Sequence, residues 1–179
     1  IKVTKITVNA INTSNAITYG NSATATATIE PSTASNKSVT WKSNNTAVAT
    51  IDASTGKITP VKAGTFTITA TANDGSGVTG TSSTITINKA SQTLSVSANP
   101  STIEIGGTTT AKVSGNKTTP ITWSISNANV ADVNSSGLIT GKAGGTATIT
   151  ATAPSNEYYK EGKGTVSIKV NKPAQPEET

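Results

Sequence analysis

The sequence predicts an all-β chain of two tandem sandwich domains arranged end to end, and three observations carry that expectation. Apolar residues recur at every second position, a set of short motifs returns once 81 to 83 residues later, and turn residues punctuate the chain at short intervals. A period of two is the signature of strands with one buried face. Motifs repeated in the same order mark a duplicated domain. No stretch carries helical periodicity.

Along the first copy, Ala23, Ala25, Ala27 and Ile29 alternate with Thr24, Thr26 and Thr28. Thr is β-branched and tolerates a solvated sheet face, while Ala and Ile pack inside. Pro31–Asn36 reads as loop. Val39 and Trp41 share one parity, which turns the indole inward. Asn44-Asn45 and Asp52-Ala53-Ser54-Thr55-Gly56 are turns. Phe66, Ile68, Ala70 and Ala72 then alternate with threonines, and Asn73-Asp74-Gly75-Ser76-Gly77 is a hairpin turn.

The second copy keeps this order. Trp41 returns as Trp123, Val48-Ala49 as Val130-Ala131, Gly64-Thr65 as Gly145-Thr146, and Ile87-Asn88-Lys89 as Val170-Asn171-Lys172. Trp123 shares parity with Ile121 and is expected to face inward like Trp41. Gly20 precedes Trp41 by 21 positions and Gly106 precedes Trp123 by 17, so the first copy carries four extra residues around Pro31–Asn36. Seven or eight short strands per copy with an inward Trp on a central strand suggest an Ig-like sandwich. The expected domains are 1–89 and 90–172, with 173–179 a Pro-rich, acidic linker tail. The joint Asn88-Lys89-Ala90-Ser91-Gln92 has neither Gly nor Pro and is expected to be stiff.

Composition narrows the function. The 179 residues are 33% hydrophobic, 3% aromatic and 13% charged. Ser and Thr supply roughly a third of the chain, far above ordinary usage. There is no His, Cys, Met or Arg. Zinc fingers, iron–sulfur clusters, haem ligation, thiol nucleophiles and Ser–His–Asp triads are therefore excluded. The net charge is +5, but the lysines are scattered, so no nucleic-acid footprint is expected. The longest apolar runs are a few residues, so no membrane insertion is expected in this segment. A chain opening on Ile1 without an apolar leader reads as an excised or processed piece.

Val39-Thr40-Trp41, Val48-Ala49, Gly56-Lys57-Ile58-Thr59, Lys62-Ala63-Gly64 and Ile68-Thr69-Ala70 form one ordered series. Ile121-Thr122-Trp123, Val130-Ala131, Gly137-Leu138-Ile139-Thr140, Lys142-Ala143-Gly144 and Ile149-Thr150-Ala151 form the other. As a set they resemble the bacterial Ig-like domain, group 2, the repeats of intimin- and invasin-like proteins. The resemblance implies an all-β sandwich in a bacterial cell-surface or extracellular setting, used in tandem as stalk or adhesive module. It brings no catalytic residues and no ligand, since fold does not fix function.

The candidate binding residues are Tyr158 and Tyr159 with Asn156 and Glu157, in a loop longer than its counterpart at Asn73–Gly77. Loop aromatics beside polar groups stack on glycans or partner proteins. On extended backbone one ring is expected to pack down and the other to stay exposed. Asp74 alone is too few carboxylates for calcium, so a turn is expected there. Asp52 and Asn134 occupy matching turn positions, where an Asx-turn explains both. The neighbouring acids Glu157 and Glu161 suggest no cleft for hydrolysis. Lys5, Lys89, Asn88 and Glu104 supply groups for an intramolecular isopeptide bond, but no pairing follows from sequence.

The expected function is a non-catalytic structural or adhesive module, a monomer without cofactor or metal, whose partners are further domains of the same chain. The alternative is a carbohydrate- or host-protein-binding module centred on Tyr158 and Tyr159.

Overall fold

The computed structural model describes residues 1–173; the expected tail from 174 to 179 lies outside the described residues. Every regular element in the described residues is a strand. The chain divides into two compact units, Ile1–Ala90 and a second that begins at Ser91.

The second unit shows the architecture most completely. Its strands are β12 (Ser95–Ala98), β13 (Thr102–Glu104), β14 (Thr108–Ser114), β15 (Thr122–Ile125), β16 (Ala131–Val133), β17 (Leu138–Gly141), β18 (Gly145–Ala153) and β19 (Gly162–Asn171). They form two four-stranded sheets, in the orders β12-β14-β17-β16 and β13-β19-β18-β15. All pairings are antiparallel except β13 with β19, the early strand against the last, which run parallel.

The first unit repeats the plan with interrupted strands. Its elements are β1 (Lys5–Val8), β2 (Ala16–Thr18), β3 (Ala23–Thr24), β4 (Ala27–Glu30), β5 (Val39–Ser43), β6 (Ala49–Ile51), β7 (Lys57–Pro60), β8 (Gly64–Phe66), β9 (Ile68–Ala72), β10 (Thr79–Thr81) and β11 (Ile85–Asn88). Eleven strands stand where seven or eight are expected, because single long strands are broken in two. The stretch matching β18 is split at Thr67, and the last strand is split between Thr81 and Ile85. At that second break Ser82 turns its hydroxyl inward and accepts the Ile68 amide at 3.0 Å, replacing a ladder bond. Again one pairing is parallel, β2 with β11.

Burial follows the alternation. β9 reads buried, half-buried, buried, half-buried, buried from Ile68 to Ala72, with the threonines at the less buried positions. Isoleucines fill the interior: Ile58, Ile68, Ile85 and Ile87 in the first unit, Ile139, Ile149 and Ile168 in the second. Each unit therefore closes its own core.

The register explains the place of the two indoles. Trp41 lies opposite Ala70 and Trp123 opposite Ala151, so a small residue makes room for each large one. The other side of each ring rests on a turn glycine. A Cβ on Gly56 would stand 3.0 Å from Trp41 Nε1, and one on Gly137 3.0 Å from Trp123 Cζ2. Both glycines also have φ near +72° to +81°, which disfavours any other residue. Trp41 is 6% exposed, as expected. Trp123 also faces inward but is only half-buried, packed against both clusters of the second core. The four extra residues of the first copy add a buried Ala34 to its single core. The second copy has no such filler, and its core is split in two.

Candidate functional site

The candidate loop, Pro154 to Glu161, joins β18 to β19. Its shape is set by Asn156. The Asn156 carboxamide oxygen accepts the amides of Tyr158 and Tyr159, both at 2.8 Å. The Asn156 amide donates to the Tyr159 carbonyl at 3.0 Å, and the Ser155 hydroxyl donates to the same carbonyl at 3.0 Å. This is an Asx-turn with a closing backbone bond.

The turn changes what the two rings do. Extended backbone would alternate them, one packed and one exposed. The Asx-turn bends the chain at Glu157 and Tyr158, and both Tyr158 and Tyr159 are half-buried. Glu157 and Asn156 are exposed. The structure therefore brings all four residues into one turn, but with unequal roles. Asn156 spends its carboxamide oxygen on the loop, while the two rings are half-buried and the Glu157 side chain is exposed. Glu161 is engaged by Lys163 at 3.1 Å, an exposed ion pair.

The loop is tied to the start of its domain by Gln92, a residue that reads in sequence as part of a linker. Gln92 is buried. Its side-chain nitrogen donates to the Lys160 carbonyl at 2.7 Å and the Pro154 carbonyl at 3.2 Å, bracketing the loop. Its oxygen accepts the Lys117 amide at 2.9 Å. The buried Thr118 hydroxyl completes the network, donating to the Pro154 carbonyl at 2.6 Å. A buried amide with all its polar atoms satisfied fixes one geometry. No sequence motif signals it, because its partners lie 25 to 68 positions away.

The first domain makes the same connection with a different residue. The Asp74 carboxylate, in the β9–β10 hairpin, accepts the Val3 amide at 2.6 Å through one oxygen and the Ser76 amide at 2.8 Å through the other. Lys2 donates its ammonium to the Asp74 carbonyl. The Ser76 side chain is the largest influence on the carboxyl, followed by the Val3 amide, and together they hold its pKa at about 2 against burial. Asp74 is thus a turn and anchor residue, and among the described residues no cluster of three His, Cys, Asp or Glu side chains could hold a metal.

The matched turns behave as expected. Asp52 Oδ1 accepts the amides of Ser54 and Thr55 at 3.0 and 2.7 Å, and the Thr55 amide chiefly lowers its pKa. Asn134 Oδ1 accepts the amides of Ser136 and Leu138, both at 3.0 Å. Lys5, a candidate for an isopeptide bond, stands 3.4 Å from Glu30 in an exposed ion pair. Glu104, another, accepts the Asn171 side-chain amide at 3.1 Å.

A surface depression of about 510 Å³ is lined by Ser97, Asn99, Pro100, Thr108, Thr109, Thr110 and Lys112, and does not include the tyrosines. Among the described residues no helix is long and apolar enough to cross a membrane.

A β-sandwich with an inward Trp across from Ala, built once from two four-stranded sheets and once from four shorter ones, defines an Ig-like β module. The chain belongs to the bacterial Ig-like domain (group 2) family, whose model matches residues 2–82 and again 81–163. Among solved structures it is similar to a C-terminal 282-residue fragment of intimin in complex with the intimin-binding domain of the translocated intimin receptor. Identity is 19%, the TM-score 0.38, and the match covers 96% of this chain and 65% of that one. It is also similar to the S-layer protein rSbsC(31-844), at 20% identity and a TM-score of 0.39, covering 96% of this chain and 28% of that one. Domains 4 and 5 of S-layer protein SbsC match at 20% identity and a TM-score of 0.36, covering 97% and 100%. The chain thus spans under two thirds of the first two structures. No curated protein matches the chain.

Proposed function

We propose that this chain is a non-catalytic structural segment of a bacterial cell-surface or secreted protein, spacing or presenting another domain of the same polypeptide. The supporting observation is the duplication itself. Two complete sandwiches follow one another, each with its own core, and each ties its first residues to its last hairpin through a buried or short hydrogen bond. Membership of the bacterial Ig-like family is consistent with this use. The Thr-rich outer faces keep such a segment soluble without making it sticky.

The test is domain replacement in the full-length surface protein. Deleting both domains is expected to bury the terminal domain against the cell and reduce its labelling by antibody. Inserting two unrelated sandwich domains of similar size is expected to restore it. Restoration only by the native pair contradicts the spacer reading.

One observation favours a second reading, a glycan- or protein-binding module. Tyr158 and Tyr159 are both partly exposed, in a loop whose counterpart in the first domain has no ring. Replacing both by Ser is expected to abolish any signal on a glycan or matrix-protein array while thermal stability holds. An array on which the native chain gives no signal ends this reading.

A further inference from the structure

In both domains the only parallel pairing among the described strands joins an early strand to the last one. In the second domain Thr102, Ile103 and Glu104 lie beside Lys169, Val170 and Asn171. In the first, Ala16, Ile17 and Thr18 lie beside Thr86, Ile87 and Asn88. Parallel strands at the two ends of a domain place the entry and exit of the chain at opposite poles. Gln92 marks the entry pole, bonded to Lys160 just before β19 begins, and Glu104 meets Asn171 where β19 ends. The ten residues of β19 separate them by roughly 30 Å.

We propose that each domain is a force-bearing unit, in which the parallel ladder between an early strand and the last strand is a shear clamp. Tension applied through the chain runs along these strands. It must slide one past the other, which loads every rung together. An antiparallel hairpin pulled at its open end instead yields one rung at a time.

The surroundings of both ladders reinforce the clamp. In the first domain the Tyr19 amide donates to the Asn88 carbonyl at 2.8 Å and the Thr86 amide to the Asn15 carbonyl at 3.1 Å. The Asn15 side chain adds a bond to the Thr84 carbonyl at 2.7 Å. In the second, the Lys169 amide donates to the Ser101 carbonyl at 2.9 Å, and Glu104 bonds Asn171. The entry strand is also pressed onto the last strand. A Cβ on Gly80 would stand 2.3 Å from the Ile6 carbonyl oxygen, and one on Gly164 2.7 Å from that of Leu94. Only glycine permits that approach. Asp74 and Gln92, unrelated in chemistry, pin the entry strand at the same pole of each domain. Two different solutions to one mechanical requirement are what a force-bearing repeat needs.

The proposal deepens the spacer reading and rests on it for its biological use, while the clamp itself is a property of each domain. The experiment is single-molecule pulling of the full chain along two axes of the second domain. The chain has no Cys, so engineered thiols are unique handles. Ser91→Cys with Lys172→Cys, both exposed, pulls along the clamp. Ala143→Cys with Lys172→Cys pulls apart β18 and β19 from their adjacent ends. At one loading rate the first axis is expected to need at least about threefold more force, since forced unfolding is governed by the barrier along the path taken. Unchanged Trp emission verifies folding of each variant, and Ala128→Cys, exposed and beside Lys142, replaces Ala143→Cys if that variant does not fold. Equal forces on the two axes overturn the clamp and leave the spacer reading to the domain-replacement experiment.

Discussion

Thr109 on β14 faces the interior, and its hydroxyl is buried with no hydrogen-bond partner among the described residues. A buried hydroxyl left unpaired costs about 1–3 kcal/mol. Thr109→Val keeps the branched shape and removes the unpaired oxygen. It is expected to raise the urea midpoint of the second domain, by about 1 kcal/mol in stability, with an unchanged m-value; a lowered midpoint shows that the oxygen has a partner. Asp74 makes the opposite case, a polar group that is fully used. Its carboxyl is held at about 2, against an ordinary 3.8. A depressed carboxyl stabilises the fold at every pH above its unfolded value. That contribution is lost as pH falls from about 3.8 toward about 2. Acid titration followed by Trp emission is therefore expected to show a steeper loss of stability across this window in the native chain than in Asp74→Asn. Identical slopes contradict the anchor. Asp52, also lowered, remains in the variant, so the slope shrinks without vanishing.

At the scale of the element, what holds the last loop is a residue outside it. Gln92 bridges the entry strand, the Lys117–Thr118 segment and both ends of the tyrosine loop. Gln92→Ala leaves the Lys160 carbonyl and the Lys117 amide to find new partners, while the Pro154 carbonyl keeps the Thr118 hydroxyl. It is expected to cost the second domain about 2 kcal/mol and to speed amide exchange in residues 155–161, with the first domain unchanged. Exchange unaltered in that loop contradicts the assignment. Strand faces could be read locally, because a side chain's parity is set by its immediate neighbours: Ala70 and Ala72 face inward as their alternation requires. Gln92 could not, since its role depends on carbonyls far along the chain. The two tyrosines lie in the loop before the last strand, but both rings are half-buried where strand parity predicts opposite faces. Parity holds only on extended backbone, and Asn156 bends the chain just before them. The insertion at Pro31–Asn36 reads as loop and is one, yet it hides a buried Ala34.

At the scale of the whole chain, duplication means that each copy must solve the same problem with different residues. The indole-on-glycine contact is kept in both, at Trp41 on Gly56 and Trp123 on Gly137. The burial around it is not kept: Trp41 is buried and Trp123 half-buried. Each unit buries its own set of isoleucines, so each is expected to be stable alone. The two indoles, one per unit, report on them separately.

The independence of the two domains is tested most directly by equilibrium unfolding in urea of residues 1–90 and 91–179 as separate chains, followed by Trp emission and circular dichroism. Each half is expected to fold alone into β-structure and to unfold in one cooperative transition. Trp41 is expected to give the more blue-shifted emission. Halves that are unfolded in isolation, or emission from Trp41 typical of a ring in water, would contradict these expectations.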